Sequence, residues 1–190
     1  MDTVKFTIKG ISPLLMHAPR TVDPLDPITV QIKKVTGKRK KTEEDQAIIA
    51  ALELEAGIYF DKDLGPYIPG NCIDASIAKG AAMLKRGRDI KKAYATFDER
   101  VRLIYKGPRE LEKLMKTPEF IDRRPVKVGT SKVMRTRAIF REWSAIVEGM
   151  YDPAIFDLAD LMQCIELTGR YAGILDYRPR YGRFSVEWPK

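Results

Sequence analysis

The sequence contains one histidine, two cysteines and no long apolar run, and each scarcity excludes a class of protein. No apolar stretch approaches the roughly 20 residues that a membrane-spanning helix needs. Met1 to Gly10 alternates charged and apolar residues, unlike a secretory signal. We therefore expect a cytoplasmic protein with no membrane partner. Cys72 and Cys164 lie far apart and outside CxxC spacing, so we expect two small buried hydrophobes and neither a zinc site nor a disulfide scaffold.

The sequence is equally poor in motifs for catalysis. His17 is the only histidine, which leaves no histidine pair for a metal and no partner for a histidine-based triad. P-loop, GxGxxG and GxSxG patterns do not occur. We therefore expect no catalytic residues, no cofactor and no bound metal. The alternative is a metal-dependent nuclease that holds Mg²⁺ with Asp23 and Asp26, although aspartates in loops also form turns.

Apolar periodicity predicts a fold that mixes strands and helices. Residues 3–10 alternate and place Val4, Phe6 and Ile8 on one side, as in a half-buried strand. Residues 12–27 contain four prolines and predict an irregular loop. The other predicted strands lie at 58–68 (two short strands), 101–105, 143–151 and 184–188, and the predicted helices at 28–35, 42–56, 71–84, 109–116 and 157–169.

The two long helices have predicted caps and apolar stripes. Thr42 with Asp45 predicts a capping box, and Asn71 is the predicted cap of the following helix. The stripes are Ile48, Ile49, Leu52 and Ala56 in one helix and Ile73, Ile77, Ala81 and Leu84 in the other.

The order of the elements predicts the architecture. Strand, helix and strand at both ends of the chain is the βαββαβ order of a ferredoxin-like fold. We expect an α+β protein with an antiparallel sheet, helices on one face, and a single domain over residues 1–190. Residues 88–141 would form a basic insertion in that domain.

Charge is plentiful and sorted along the chain. Lysine and arginine number 34 against 26 acidic residues, a net charge of +8, which fits an anionic partner. Residues 123–141 contain seven basic and no acidic residues, whereas 142–169 contain six acidic and no basic ones. This sorting predicts a molecule with two differently charged faces. A smaller basic group surrounds the end of the helix at 71–84: Lys79, Lys85, Arg86, Arg88, Lys91 and Lys92.

The central basic segment predicts contacts with phosphates. Alternate residues of an extended chain share a face, so Arg135, Arg137 and Arg141, with Lys132 nearby, would project together. Such a row can follow a nucleic-acid backbone. The alternatives are an ordinary solvated surface and a face that docks on an acidic protein partner.

A second candidate site lies at residues 173–184. It interleaves rings with guanidinium groups between glycines: Tyr177, Arg178, Arg180, Tyr181 and Arg183. Rings next to phosphate clamps suit unpaired bases, and no helix typical of major-groove readers accompanies them. The tyrosines could instead pack on a sheet edge. The sequence thus favours binding of single-stranded DNA or RNA without chemistry.

The layout resembles a known family. A short first strand leading into Ile-Ser-Pro-Leu-Leu-Met-His, a basic central insertion and the ending Arg-Tyr-Gly-Arg-Phe at 180–184 resemble the RAMP superfamily, specifically the backbone subunits of CRISPR effector complexes. The chain also resembles compact proteins carried by tailed bacteriophages and prophages. The resemblance implies an RRM-derived sheet, a protruding thumb, and head-to-tail assembly into a homo-oligomer or filament along a single strand.

The resemblance also implies roles for individual residues. Arg178, Arg180 and Arg183 would lie where the family's glycine-rich loop meets nucleic acid, and Arg135 and Arg137 would make thumb or palm contacts. The chain departs from the family in being short and in carrying Arg178 and Pro179 where smaller residues are expected. This departure favours single-strand binding in phage replication or recombination, in the cytoplasm of a bacterial host, over a role in a CRISPR complex.

Overall fold

A computed structural model describes residues 1–189 of the chain and divides it into two compact units. The first unit comprises Met1–Leu15, Asp61–Lys106 and the stretch that begins at Phe140. The second unit comprises Met16–Phe60 and Gly107–Ile139. The predicted insertion at 88–141 is therefore shared between both units.

The helices and strands cover most of both units. The strands are β1 (Asp2–Gly10), β2 (Leu14–Leu15), β3 (Phe60–Asp61), β4 (Gly65–Pro69), β5 (Tyr94–Thr96), β6 (Arg100–Arg102), β7 (Ile121–Val128), β8 (Ser131–Phe140), β9 (Ser144–Tyr151) and β10 (Phe184–Glu187). The α-helices are α1 (Pro27–Thr36), α2 (Glu43–Gly57), α3 (Gly70–Met83), α4 (Gly87–Ala93), α5 (Leu111–Lys116) and α6 (Leu158–Leu167). Short 3-10 turns lie at Pro19–Val22 and Pro118–Phe120, and a π-helical turn at Thr168–Ala172.

The first unit is built on a four-stranded antiparallel sheet in the order β10-β1-β9-β5. The predicted alternation of β1 is confirmed, since Val4, Phe6 and Ile8 are all buried. Helices α3 and α6 supply further core residues, including Ile77 and Leu161. Both are buried because the apolar side of each helix packs against the rest of the unit. The expected α+β class with antiparallel strands is confirmed.

Three expectations about this unit are wrong in detail. Asn71 lies inside α3, because the helix begins at Gly70 and its N-cap is Pro69, two residues before the predicted cap. Leu84 is the C-cap of α3 and is only half-buried. Cys164 is fully buried, which raises the pKa of its thiol to about 11, but Cys72 is only partly buried.

The second unit combines α1, α2 and α5 with the long hairpin formed by β7 and β8. The capping box is confirmed: Thr42 Oγ1 accepts the Asp45 N–H and the Asp45 carboxylate accepts the Thr42 N–H. The stripe of α2 was expected to bury Ile48, which is 47% exposed, whereas Leu54 is 3% exposed. The buried apolar side chains of this helix, Leu54 and Ala56, lie in its second half.

The helices of residues 1–189 include none that combines the length and the apolar character needed to cross a membrane.

Candidate nucleic-acid interface

The β7–β8 hairpin has one exposed and one half-buried face. Its register pairs Arg123 with Thr136, Pro125 with Met134, and Lys127 with Lys132 across the strands. Directly opposed residues of an antiparallel pair point to the same side of the sheet. The exposed residues of this side define what we call the hairpin face: Arg123, Pro125, Lys127, Lys132 and Met134.

The hairpin face is cationic without compensating carboxylates. Arg123, Lys127 and Lys132 form no ion pair with any of residues 1–189. Met134 is 47% exposed between them and adds an apolar surface. At the tip, Gly129 reverses the chain with φ of +58°, a conformation that L residues rarely adopt. The face thus combines unpaired positive charge with contact area for an apolar group.

The opposite side of the hairpin is neutralised within the second unit. The Arg135 guanidinium forms an ion pair with the Glu53 carboxylate of α2, and Glu53 Oε2 accepts the Thr136 N–H at 3.0 Å. Arg124 likewise pairs with Asp122 on its own strand. The Glu53 side chain is only 9% exposed. These contacts fix the hairpin on α2, so the hairpin face stays turned towards solvent.

The expected row of Arg135, Arg137 and Arg141 does not form one exposed surface. Arg137 is 8% exposed, because the second half of β8 is buried together with its neighbours Thr136 and Ala138. Arg141 follows the end of β8, is exposed, and belongs to the first unit. Lys132 lies on the hairpin face. That these residues bind nucleic acid stays a prediction.

Residues 173–184, here called the arginine loop, lie in the first unit and have a defined backbone. The Ile174 N–H bonds the Gly182 carbonyl at 2.9 Å, and the Gly182 N–H bonds the Pro13 carbonyl at 2.8 Å. Gly182 has φ of +72°, and a Cβ there would lie 1.9 Å from the Ile174 carbonyl oxygen. Only glycine permits this approach, so the loop closes tightly before β10.

The side chains of the arginine loop differ in their availability. Arg178 Nη1 donates to Ser76 Oγ at 3.0 Å, and Arg183 Nε donates to the Pro179 carbonyl at 2.9 Å. Arg180 is exposed and has no hydrogen bond or ion pair within the described chain. Arg178 and Arg183 therefore shape the loop, whereas Arg180 is available to a ligand.

The two tyrosines of the arginine loop form a ring pair. The rings of Tyr177 and Tyr181 lie 5.6 Å apart between centroids, at an interplanar angle of 52°. Tyr177 is 47% exposed, so one ring presents surface to solvent. A base could stack on such a ring, since every base has an apolar face.

The loop aspartates considered for Mg²⁺ have structural partners. Asp26 caps α1 by accepting the Ile28 N–H at 2.9 Å and pairs with Arg20, and Asp23 accepts the Leu25 N–H at 2.9 Å. The Arg20 guanidinium, followed by the bond from Ile28, lowers the pKa of Asp26 below its usual range. No group of three or more His, Cys, Asp or Glu side chains within residues 1–189 is arranged to hold a metal ion.

The remaining prominent residue, His17, lines a cavity of about 280 Å³ in the second unit. Lys33, Glu53 and Arg135 also line this cavity.

The structure identifies two cations that sequence reasoning counted but did not select. Arg123 and Lys127 were part of the basic segment, yet only the strand register places them beside Lys132 on one side of the hairpin. The sequence held a signal for them: residues 123, 125 and 127 alternate along β7 before Gly129, as residues on one side of a strand do. Comparison with protein-family models and with curated proteins gave no match for this chain.

Proposed function

We propose that this protein binds single-stranded DNA or RNA without catalysis and contacts the phosphate backbone through the hairpin face. The observation that carries the proposal is the set of three cations on that face, Arg123, Lys127 and Lys132, which no carboxylate of residues 1–189 neutralises. Lysine and arginine at such positions gain affinity by releasing counterions from phosphates. Met134 between the cations provides an apolar contact for sugars or bases.

The arginine loop is the second contact in this proposal. Arg180 binds a phosphate, and the exposed ring of Tyr177 stacks on a base. Arg178 and Arg183 position the loop through their bonds to Ser76 and Pro179. Arg135 holds the hairpin on α2 through Glu53, Arg137 is buried and does not contact the nucleic acid, and Tyr181 supports the Tyr177 ring.

The fold of the first unit fits a ferredoxin-like, RRM-derived sheet. The four strands of its sheet and its two longest helices follow one another as β1, α3, β5, β9, α6 and β10, the βαββαβ order, and neighbouring strands of this sheet are antiparallel. The unit also contains β2, β4, α4 and β6. The hairpin then corresponds to a thumb-like insertion. This agreement supports the likeness to RAMP-type backbone subunits that the sequence suggests.

Binding through phosphates suggests a biological setting for the protein. Contacts to phosphates carry no sequence information, so many copies can cover a strand of any sequence. We place the protein in phage replication or recombination, where exposed single strands need such a coat, as a homo-oligomer or filament along the strand.

Fluorescence anisotropy with labelled DNA and RNA strands of about 20 nucleotides tests the proposal. We expect binding that tightens with strand length, weakens steeply between about 50 mM and 200 mM salt, and differs little among base sequences. Electrophoresis after incubation with Mg²⁺ should show intact strands. Absence of binding at low salt overturns the proposal, and cleavage abolished by Asp23→Ala with Asp26→Ala would establish the nuclease instead.

A further inference from the structure

A second cationic surface lies in the first unit, between α3 and α4, and the proposed nucleic-acid contacts do not use it. It is an open groove of about 800 Å³. The residues that line it are Ala75, Ala78, Lys79, Ala82, Lys85, Gly87, Arg88, Asp89 and Lys91. We call it the α3–α4 groove.

The turn between the helices shapes the groove. Lys85 has φ of +60°, and the Arg86 N–H bonds back to the Ala81 carbonyl at 2.9 Å, so the chain reverses tightly after α3. A Cβ on Gly87 would lie 3.1 Å from the Cβ of Ala82. The start of α4 therefore lies directly against α3, and the floor of the groove is made of small apolar groups.

The charge of the groove is uncompensated. Its rim carries Lys79, Lys85, Arg88 and Lys91, none of which forms an ion pair within residues 1–189. The only carboxylate that lines it, Asp89, lies 3.8 Å from the Arg86 guanidinium.

Arg86 itself has partners outside the groove. It pairs with Asp160 and lies over the Phe156 ring at 3.7 Å. Arg86 therefore joins α3 to the α6 side of the unit, and the four rim cations remain available to a ligand.

The lining chemistry discriminates between anionic ligands. Base stacking needs an aromatic ring, and none of the residues that line the groove is aromatic, so a nucleic acid would gain only phosphate contacts there. Alanine methyl groups instead accept apolar side chains, and small floor residues permit the close axial approach of another helix. Acidic side chains beside those apolar residues would meet the rim cations.

We infer that the α3–α4 groove docks an acidic amphipathic helix of a partner protein. The apolar stripe of that helix covers Ala75, Ala78 and Ala82, and its flanking carboxylates pair with Lys79, Lys85, Arg88 and Lys91. The protein then binds a nucleic acid through the hairpin face and the arginine loop, and recruits a protein through the α3–α4 groove.

Three synthetic helical peptides of about 18 residues provide the probe, since that length supports a helix in water. They share a leucine and alanine stripe and differ only in carrying glutamate, glutamine or lysine on its flanks. Calorimetry at low salt with the full chain should show the glutamate peptide binding roughly tenfold or more tighter than the glutamine peptide. The lysine peptide should not bind.

Variants locate the peptide on the protein. Lys79→Glu with Lys91→Glu reverses the rim charge, and Ala82→Trp fills the floor at an exposed position. Each change should lower the affinity for the glutamate peptide by roughly tenfold or more. The control Lys62→Glu with Lys106→Glu, which alters exposed cations of the same unit, should leave that affinity unchanged. The inference is overturned if the glutamine peptide binds as tightly as the glutamate peptide, or if the groove variants still bind the glutamate peptide with full affinity. It is also overturned if those variants lose oligonucleotide binding but keep peptide binding.

Discussion

Lys127 and Lys132 lie directly opposite each other on the exposed side of the β7–β8 hairpin. Like charges in this arrangement destabilise a strand pair, by roughly 0.2 to 1 kcal/mol relative to neutral partners. Since no carboxylate of residues 1–189 pairs with either lysine, the repulsion is not relieved inside the chain. A phosphate placed between the two ammonium groups relieves it.

The opposed lysines predict a variant that gains stability and loses function. Lys132→Glu creates an attractive cross-strand pair with Lys127, so the free energy of unfolding should rise by about 0.5 kcal/mol. Affinity for a single strand should fall, because one phosphate contact is replaced by a repulsive carboxylate. Urea denaturation and anisotropy measure the two effects. Lys62→Glu is the matched control and should change neither by more than experimental error.

Removing the charge of the hairpin face should change the salt dependence of binding. Arg123→Ala, Lys127→Ala and Lys132→Ala together remove three phosphate contacts, so the slope of log K against log salt should shrink by about 2 on single strands. Affinity should fall about equally for all sequences. The triple variant of Lys62, Lys106 and Lys116, each to alanine, removes the same charge elsewhere, and an equal loss there would argue against a defined site.

Glu53 should affect the free energy of unfolding rather than the contact with the nucleic acid. Glu53→Ala leaves the Arg135 guanidinium and the Thr136 N–H without their acceptor, at a cost of about 2 kcal/mol in unfolding free energy. Thermal or urea denaturation measures this cost. Glu44→Ala, an exposed acidic position on the same helix, should cost only a few tenths of a kcal/mol. Comparable losses for both variants would contradict an anchoring role.

Two glycines with similar positive φ angles, +58° at Gly129 and +72° at Gly182, should respond differently to alanine. At Gly182 the added Cβ meets the Ile174 carbonyl oxygen, whereas at Gly129 nothing lies within 4 Å. Gly129→Ala should cost about 1 kcal/mol, the strain of a positive φ, while Gly182→Ala should cost at least about 2 kcal/mol. Gly182→Ala should also weaken the binding of single-stranded nucleic acid, because the arginine loop can no longer close tightly. Equal stabilities would mean that the loop opens freely.

Asp45 should make stability depend on acid pH. The hydrogen bond from Lys38, followed by the bond from the Thr42 N–H, lowers the pKa of Asp45 below its usual range. A lowered carboxyl pKa adds stability that is present above about pH 4 and is lost as pH falls through the folded-state pKa. Unfolding free energy measured from about pH 5 downwards should therefore fall more steeply for the natural chain than for Asp45→Asn. Parallel curves would show that Asp45 does not contribute.

The sequence predicted the elements better than their assembly. Local rules identified β1 and the Thr42 cap, because alternation and capping depend on neighbouring residues. They did not predict that Met16–Phe60 and Gly107–Ile139 form one unit, since that depends on contacts between distant segments.

The candidate site shows the same division. The basic composition of residues 123–141 was visible, but alternation alone grouped Arg135 and Arg137 with Arg141. Arg135 is neutralised by Glu53, which lies 82 residues earlier in the chain, and Arg137 is buried. Only the register selected Arg123 and Lys127, because exposure of one hairpin side is a tertiary property.

Photocrosslinking from the hairpin face tests the central proposal most directly. Met134→p-benzoylphenylalanine places a photoreactive ring among the three cations, and Ile146→p-benzoylphenylalanine places the same ring at a similarly exposed position, 46% against 47%, on β9. We predict that light attaches a single-stranded oligonucleotide to the first protein, that added salt abolishes the product, and that the second protein gives little product. Efficient crosslinking from position 146 with none from position 134 would contradict the account.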